Sequence, residues 1–230
     1  MEKLFLFSGL GADKRVYAPL LHHLGLNDAA DGYQKLTARF EFVHIEWLPP
    51  GAAESLSCYV QRLANHYQIP KEGAKVIGVS FGGMCISELS KTYNFGKIVL
   101  ISSAKNKYEL PKSLPLSKFF PLHRLIPDRY FLQPTMLLNW LFTLGSTEEK
   151  QLLAEIVKDS DPKFLRWAIN CIVNWDHTSI PLNCMHIHGD MDRVIPIQNV
   201  DYSIKIARAG HFMILNKAAE IAFSVKNYLY

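Results

Sequence analysis

The chain has 230 residues, 49% of them hydrophobic, which is enough for one well-cored domain with an insertion. Its 25 Lys and Arg residues are scattered and leave a net charge of only +4, so nucleic-acid binding has little support. No apolar run is long enough to span a membrane, and the apolar start meets Ser8 and Gly9 too soon for a signal-peptide core. We therefore expect a cytoplasmic protein without a membrane partner, and its four widely spaced cysteines indicate free thiols in a reducing compartment.

Apolar runs and helical stretches alternate through the first part of the chain. The predicted strands cover residues 3–7, 40–48, 75–79 and 97–102, and the predicted helices cover residues 14–24, 53–67 and 84–93. The first strand is a continuous apolar run, as expected where both faces of a parallel sheet are covered. This alternation predicts a parallel sheet with right-handed crossovers.

The pattern changes after Ser103 into a helical block. Prolines recur at positions 111, 115, 121, 127 and 134, which permits only short helices there. Ser146 and Glu149 have the spacing of a capping box for a helix to residue 158, and Asp161 with Pro162 predicts a second helix ending near residue 175. We interpret residues 105–175 as a helical cap inserted into a core formed by residues 1–104 and 176–230.

The alternating pattern resumes near residue 185. Strands are predicted at residues 185–189 and 202–207, followed by an amphipathic helix at residues 217–229. The predicted fold class is therefore α/β, with a mostly parallel sheet of about six strands flanked by helices.

A glycine-flanked serine stands between a buried strand and a helix. Gly78, Ser80 and Gly82 have the Gly-x-Ser-x-Gly spacing of a nucleophile elbow, which lifts a serine hydroxyl out at the top of a sheet. The alternative is a glycine-rich turn in which the serine only caps the helix. A serine hydroxyl becomes a good nucleophile only when an oriented base takes its proton, so the partners of Ser80 decide between the two.

Candidates for those partners follow the last two predicted strands. Asp190 and Asp192 lie in the loop after the fifth strand, and His211 lies in the loop after the sixth. Serine, acid and histidine thus occur in the chain order described for α/β-hydrolases. The sequence resembles this family: Ser80 matches the elbow serine, Asp192 the acid of a Gly-x-x-Asp-x-x-x-Pro loop, and His211 the histidine of a Gly-His loop.

The resemblance has further implications for the fold and the site. It implies that the first two edge strands of the family's sheet are missing and that Asp192 is the catalytic acid, while Asp190 binds its own loop. The loop at residues 8–11 matches the family's His-Gly-x-Gly loop, with Ser8 in place of the histidine. The backbone amides of Leu10 and Phe81 are then expected to form an oxyanion hole.

The activity implied by the resemblance is hydrolysis of a small carboxylic ester or related acyl compound. The expected partner is a small-molecule substrate, and no metal or organic cofactor is required. Thioesters, lactones, amides and C–C bonds also remain open, because related folds process all of them. Leu137, Trp140 and Leu141 of the cap are the candidate substrate-binding residues, although an apolar face also serves to dock a helix, and His177 is an outside candidate.

Two interpretations without a serine nucleophile compete with this one. His186, His188, Asp190 and Asp192 alternate along a strand and could converge on a metal, half-resembling the His-x-His-x-Asp-His motif of metallo-β-lactamase-type hydrolases. Met191 replaces the final histidine of that motif, and alternating residues on a buried strand are also an ordinary packing pattern, so no metal is predicted. The second alternative is a non-catalytic ligand-binding or sensing protein on the same fold.

Overall fold

A parallel six-stranded sheet forms the centre of the molecule. The computed structural model describes residues 1–25, 39–111 and 136–230. The strands are β1 (Glu2–Phe7), β2 (Phe40–Ile45), β3 (Lys75–Val79), β4 (Lys97–Ile101), β5 (Cys184–Gly189) and β6 (Ile204–Ile206). They lie in the order β2-β1-β3-β4-β5-β6 and every neighbouring pair is parallel, which confirms the predicted fold class.

Helices cover both faces of this sheet. They are α1 (Ala18–Gly25), α2 (Leu56–His66), α3 (Phe81–Leu89), α4 (Met136–Leu141), α5 (Thr147–Asp159), α6 (Pro162–Val173), α7 (Met213–Asn216) and α8 (Ala218–Leu229). Phe5 and Phe7 of β1 pack with residues of α2 and α3 on one face, whereas Leu4 and Leu6 pack with residues of α1 and α8 on the other. Because successive side chains of a strand point to opposite faces, a strand covered on both sides needs apolar residues throughout.

β2 is shorter than the predicted strand at residues 40–48. It pairs only with β1, and β1 ends at Phe7 opposite Ile45. Beyond that point the chain has no strand to pair with, and its backbone bonds to a side chain instead. The Leu48 N–H donates to the Tyr59 hydroxyl at 3.0 Å, and that hydroxyl donates to the Leu48 carbonyl at 2.9 Å.

Helices α4, α5 and α6 lie in the predicted cap. The predicted capping box is present at α5, where the Glu149 N–H donates to the Ser146 hydroxyl and the Ser146 N–H donates to the Glu149 carboxylate, both at 3.1 Å. Asp161 caps α6, and Pro162 is its first residue. The short helices predicted for the proline-rich stretch fall mostly on residues 112–135, which lie outside the described part of the chain.

Hydrogen bonds attach α5 and α6 to loops at the carboxyl ends of the strands. The hydroxyl of Ser160, which follows α5, donates to the carbonyl of Gly11 in the loop after β1 at 2.9 Å. The indole N–H of Trp167 in α6 donates to the carbonyl of Glu54 in the loop after β2 at 2.8 Å. Both helices therefore lie over the edge of the sheet where β3 ends at Ser80.

No helix among the residues at 1–25, 39–111 and 136–230 combines the length and the apolar character needed to cross a membrane.

Candidate active site

Ser80 is the residue at which β3 ends and α3 begins. Its backbone has φ +50° and ψ −118°, a conformation that residues other than glycine rarely adopt. Two hydrogen bonds hold it there, because the Ser80 N–H donates to the Ile101 carbonyl at 3.0 Å and the Ser103 hydroxyl donates to the Ser80 carbonyl at 2.6 Å. β4 and the loop after it therefore fix the turn that presents the Ser80 hydroxyl.

Gly82 allows α3 to start directly after Ser80. A Cβ atom at Gly82 would lie 2.4 Å from the carbonyl oxygens of Phe7 and Ser8, which is far too close for any other residue. The predicted helix at residues 84–93 was therefore placed too late, because α3 spans Phe81–Leu89 although glycine has a weak helix propensity. Contact with the end of β1 overrides that propensity, and the helix begins at Phe81.

His211 connects the Ser80 hydroxyl to the Asp192 carboxylate. The His211 Nε2 atom lies 2.9 Å from Ser80 Oγ, and its Nδ1 atom lies 2.8 Å from Asp192 Oδ2. An ionised carboxylate only accepts hydrogen bonds, so Nδ1 carries the ring proton and Nε2 of the neutral ring accepts from the hydroxyl. His211 is 3% exposed and the Asp192 side chain is fully buried. The structure thus brings together three side chains that are distant in the sequence.

The loop after β5 holds the Asp192 carboxylate in its ionised form. Its Oδ1 atom accepts the N–H groups of Val194 and Ile195, each at 2.9 Å. Burial alone would raise the pKa of Asp192, but the His211 charge and the hydrogen bonds from His188, His211 and Ile195 outweigh it and hold that pKa well below its usual range. A carboxylate that stays ionised can stabilise a positive charge on His211.

Asp190 points elsewhere, although it is only two residues from Asp192. Asp190 is exposed, and its carboxylate accepts the N–H of Ala209 at 3.4 Å. The contact to His211 is therefore made by Asp192, and Asp190 binds backbone of the neighbouring loop.

The backbone amides of Leu10 and Phe81 lie beside Ser80. Leu10 lines the same cavity as Ser80, and Phe81 is the first residue of α3. Within the described residues, neither amide donates to a backbone or side-chain acceptor. The hydroxyl of Ser8 donates to the carbonyl of Ala12 at 2.6 Å, which holds this loop in place. The Phe81 N–H lies at the start of α3, where negative charge is favoured.

An apolar cavity of about 300 Å³ opens at Ser80 and His211. Apolar side chains from the core and the cap form most of its wall; among them are Val16, Val79, Phe212, Leu138, Val157 and Ile169. Among the described residues that line it, the polar side chains are the hydroxyls of Ser80 and Ser160 and the imidazole of His211, and none is charged. Such a cavity favours an apolar ligand group over a charged one, because a buried charge without a partner is costly.

The three candidate substrate-binding residues differ in their position relative to the cavity. Leu137 lines the cavity, but Trp140 and Leu141 do not, and Trp140 is 56% exposed. Leu138 and Phe142 line it instead. Residues four apart share one face of a helix, whereas Trp140, two positions from each of them, lies on the opposite side.

The part of the wall that α5 and Ser160 provide was not predicted from the sequence. Leu153, Ile156, Val157 and Ser160 all line the cavity. They are spaced at i, i+3, i+4 and i+7, which marks one face of a helix. That spacing was visible in the sequence and could have identified the face, but not the cavity in front of it.

The outside candidate His177 lies in the core and not at the cavity. Its ring stacks on Trp175 with 5.4 Å between ring centres, and its Nδ1 atom lies 3.7 Å from a carboxylate oxygen of Glu88. Burial lowers its pKa, an effect that the Glu88 charge partly opposes. In the part of the chain that the structure describes, no group of three or more His, Cys, Asp or Glu side chains is arranged to hold a metal ion.

Comparison with solved structures places this architecture among known proteins. An esterase from Thermogutta terrifontis superposes with a TM-score of 0.72 at 12% identity, covering 100% of this chain and 89% of that one. A carboxylesterase from the thaumarchaeon Nitrososphaera gargenis has a TM-score of 0.67 at 14% identity, covering 99% and 89%. An enol-lactonase from Burkholderia xenovorans has a TM-score of 0.68 at 15% identity, covering 99% and 91%.

No protein-family model matches this sequence, and no curated protein matches it. The structural likeness nevertheless extends over the whole chain and includes members of the α/β-hydrolase superfamily. Together with the order of the strands and the elbow at Ser80, it shows that the chain has the α/β-hydrolase fold.

Proposed function

We propose that this protein is a serine hydrolase that cleaves a small carboxylic ester, or a related acyl compound, through an acyl-enzyme intermediate. The observation that carries the proposal is the continuous hydrogen-bonded chain from Ser80 through His211 to Asp192 at the wall of an apolar cavity. The esterases and the enol-lactonase among the structural neighbours support the same class of reaction. The specific assignment rests on the site, because one fold hosts many activities.

Acylation begins with His211 as general base. Its Nε2 atom takes the hydroxyl proton while Ser80 Oγ bonds to the substrate carbonyl carbon, and one electron pair of the carbonyl moves onto its oxygen. The tetrahedral intermediate collapses when the bond to the leaving alcohol breaks. His211 donates its extra proton to the departing alcohol oxygen, and the acyl group remains as an ester on Ser80.

Deacylation repeats these steps with water. His211 takes a proton from a water molecule as its oxygen bonds to the acyl carbon, and the second tetrahedral intermediate releases Ser80 Oγ. His211 then returns the proton to Ser80, and the carboxylic acid departs. Throughout both halves Asp192 keeps the imidazole in the tautomer with Nδ1 protonated and stabilises its cationic form.

The amides of Leu10 and Phe81 are the proposed donors to the oxyanion. Their N–H groups would bind the oxygen of each tetrahedral intermediate, at the positive end of α3. One such donor contributes about 3 kcal/mol to transition-state stabilisation in enzymes of this kind. The reaction requires no metal or organic cofactor.

The lining of the cavity supports a substrate with an apolar acyl group. Its volume of about 300 Å³ is at the lower end of small-molecule sites. The described residues that line it include no charged side chain, so a carboxylate on the acyl chain would be buried against them without a partner. We therefore propose esters of medium-size apolar acids as substrates, in preference to esters of acidic or basic ones.

Ser80→Ala tests the nucleophile directly. The measurements are hydrolysis of p-nitrophenyl esters with acyl chains of increasing length and covalent labelling by a fluorophosphonate probe, with the labelled residue identified by mass spectrometry. Wild type should hydrolyse the esters and carry the label on Ser80, whereas Ser80→Ala should lose at least 1,000-fold in kcat, on the order of a lost nucleophile, and all labelling.

Ser57→Ala is the matched control, because Ser57 is an exposed serine of α2 far from the cavity lining. It should retain full activity and labelling. Full turnover in Ser80→Ala would refute the assignment of the nucleophile. A folded wild-type protein that takes no label and cleaves no ester would favour the non-catalytic alternative.

A further inference from the structure

Two buried histidines of β5 lie next to each other, and one of them is close to the Asp192 carboxylate. His186 and His188 are alternate residues of β5, and both are 0% exposed. Their rings meet edge to face with 5.3 Å between centres. The proposed reaction steps use neither ring. Buried polar side chains are almost always hydrogen-bonded, so the partners of these rings indicate what they do.

The contacts of His188 determine where its proton lies. Its Nε2 atom is 2.8 Å from the carbonyl oxygen of Ile195 and 3.3 Å from Asp192 Oδ2. A carbonyl oxygen has no proton to give, so Nε2 carries one and donates it. The Nδ1 atom of His188 faces His186 Nε2 at 3.4 Å, which orients the ring from its other side.

Donor groups surround the Asp192 carboxylate. Oδ1 accepts from the N–H groups of Val194 and Ile195, and Oδ2 accepts from His211 Nδ1. The His188 N–H that donates to the Ile195 carbonyl lies 3.3 Å from Oδ2, where it makes a longer second contact. An ionised carboxylate offers about four lone-pair sites. The Asp192 side chain has no exposed surface, so water cannot replace a donor that is lost.

We propose that His188 is a positioning residue for the catalytic base, whose Nε2–H holds Asp192 Oδ2 toward His211 and reduces the pull of that oxygen on the His211 proton. This inference rests on the proposed function and adds a fourth side chain to the site. Without the His188 donor, more of the carboxylate charge acts on the His211 ring and favours its cationic form. The carboxylate also loses one of the contacts that define its rotamer.

The other ionisable groups near His188 do not obscure this effect. Burial, aided by the charges of His188 and Lys105, lowers the pKa of His186 to about 3, so its ring stays neutral near neutral pH. Beyond it, Glu109 Oε2 lies 4.0 Å from His186 Nδ1, and Glu109 Oε1 lies 3.6 Å from the Lys105 ammonium. Burial raises the pKa of Glu109, and hydrogen bonds from Lys105 oppose that rise.

Two substitutions distinguish the role of the His188 N–H from the packing of its ring: His188→Phe and His188→Gln. Phenylalanine fills the space without donating, whereas the glutamine amide reaches the position of Nε2 and carries N–H groups there. In His188→Phe we expect kcat to fall about tenfold with KM within about twofold, as for other residues that orient a site residue. The acidic limb of the profile of kcat/KM against pH should move up by about half a pH unit. His188→Gln should restore most of kcat and return the acidic limb of the profile close to its wild-type position.

His177→Phe is the matched control, because His177 is also buried beside a carboxylate but lies outside the cavity lining. It should lower the free energy of unfolding without moving the pH limb or kcat. If His188→Phe behaves in the same way, His188 is only a core residue and the proposal is overturned.

A measurement on wild type decides the case if the variants do not fold. In a ¹⁵N-histidine spectrum, assigned through the backbone of residue 188, Nε2 of His188 should be protonated and slow to exchange. An unprotonated Nε2 overturns the proposal. If wild type cleaves no ester and takes no fluorophosphonate label, the proposed function fails separately, and the spectrum still decides whether His188 Nε2 carries the proton that its contact with Asp192 requires.

Discussion

Asp192→Asn keeps the shape of the acid and changes only its hydrogen bonding. The carboxylate accepts from the backbone N–H groups of Val194 and Ile195 on one oxygen and from His211 on the other, to which His188 Nε2 also approaches within 3.3 Å. An amide has a single oxygen, so it can accept hydrogen bonds either from the backbone N–H groups or on the histidine side. Its own N–H groups then point toward the other side. The two backbone N–H groups can only donate, whereas the His211 imidazole can move its proton from Nδ1 to Nε2. We therefore expect the amide nitrogen to face His211.

That orientation leaves His211 unable to act as the general base. His211 must then accept at Nδ1, so its proton moves to Nε2, the atom that has to take the proton of Ser80. A wrong tautomer of this kind lowers kcat by about 10⁴ in serine hydrolases. The corresponding loss of transition-state stabilisation is about 5.4 kcal/mol. KM should change little, because neither Asp192 nor its substitute lines the cavity.

The assay is kcat for a p-nitrophenyl ester at pH 8, with the fold checked by circular dichroism. Asp190→Asn is the control, because Asp190 is exposed and contacts only the Ala209 N–H at 3.4 Å among the interactions described for its side chain. It should leave kcat within about twofold of wild type. A loss below tenfold in Asp192→Asn, or a larger loss in Asp190→Asn than in Asp192→Asn, would refute the assigned role of Asp192.

Two other expectations concern the cavity and the acid stability of the fold. Val157→Phe fills part of the cavity, so kcat/KM for an octanoyl ester should fall about tenfold relative to an acetyl ester. Gln151→Phe, at an exposed position of the same helix, should leave that ratio unchanged, and equal losses on both esters in Val157→Phe would show that the cavity does not hold the acyl chain. Burial and neighbouring charges lower the pKa of His186 from 6.5 to about 3, so the unfolded state binds the proton first and stability is lost as the pH falls between these values. In urea unfolding at pH 7 and pH 4.5, His186→Leu should lose less stability than wild type, and an equal or greater loss would contradict this account.

The sheet could be predicted because each strand carries a local signal. β1 is apolar at the positions that both faces require, and β3 is followed at once by the glycine-flanked Ser80. The ends of the elements could not be predicted in the same way. β2 stops at Ile45 because its only partner stops opposite it at Phe7, and pairing is a property of two distant segments.

The residues of the candidate site were accessible from the sequence for a related reason. Ser80, Asp192 and His211 each follow a strand, and the carboxyl ends of parallel strands lie at one edge of a sheet. The cavity wall was not accessible, because it depends on the rotation of short cap helices about their axes. Trp140 and Leu138 are two positions apart on α4, and nothing local decides which of them faces the cavity.

The alternation of His186 and His188 shows what a sequence pattern can predict and what it leaves open. It established that both rings share one face of a strand, which suits a metal site and a packed core equally well. What distinguishes these cases is the group that another segment places opposite the rings. Here the loop after β5 folds back and presents the Ile195 carbonyl and the Asp192 carboxylate, two acceptors that require His188 Nε2 to donate. The proposed role of His188 in orienting Asp192 therefore depends on the loop, and the alternation of the two histidines does not predict it.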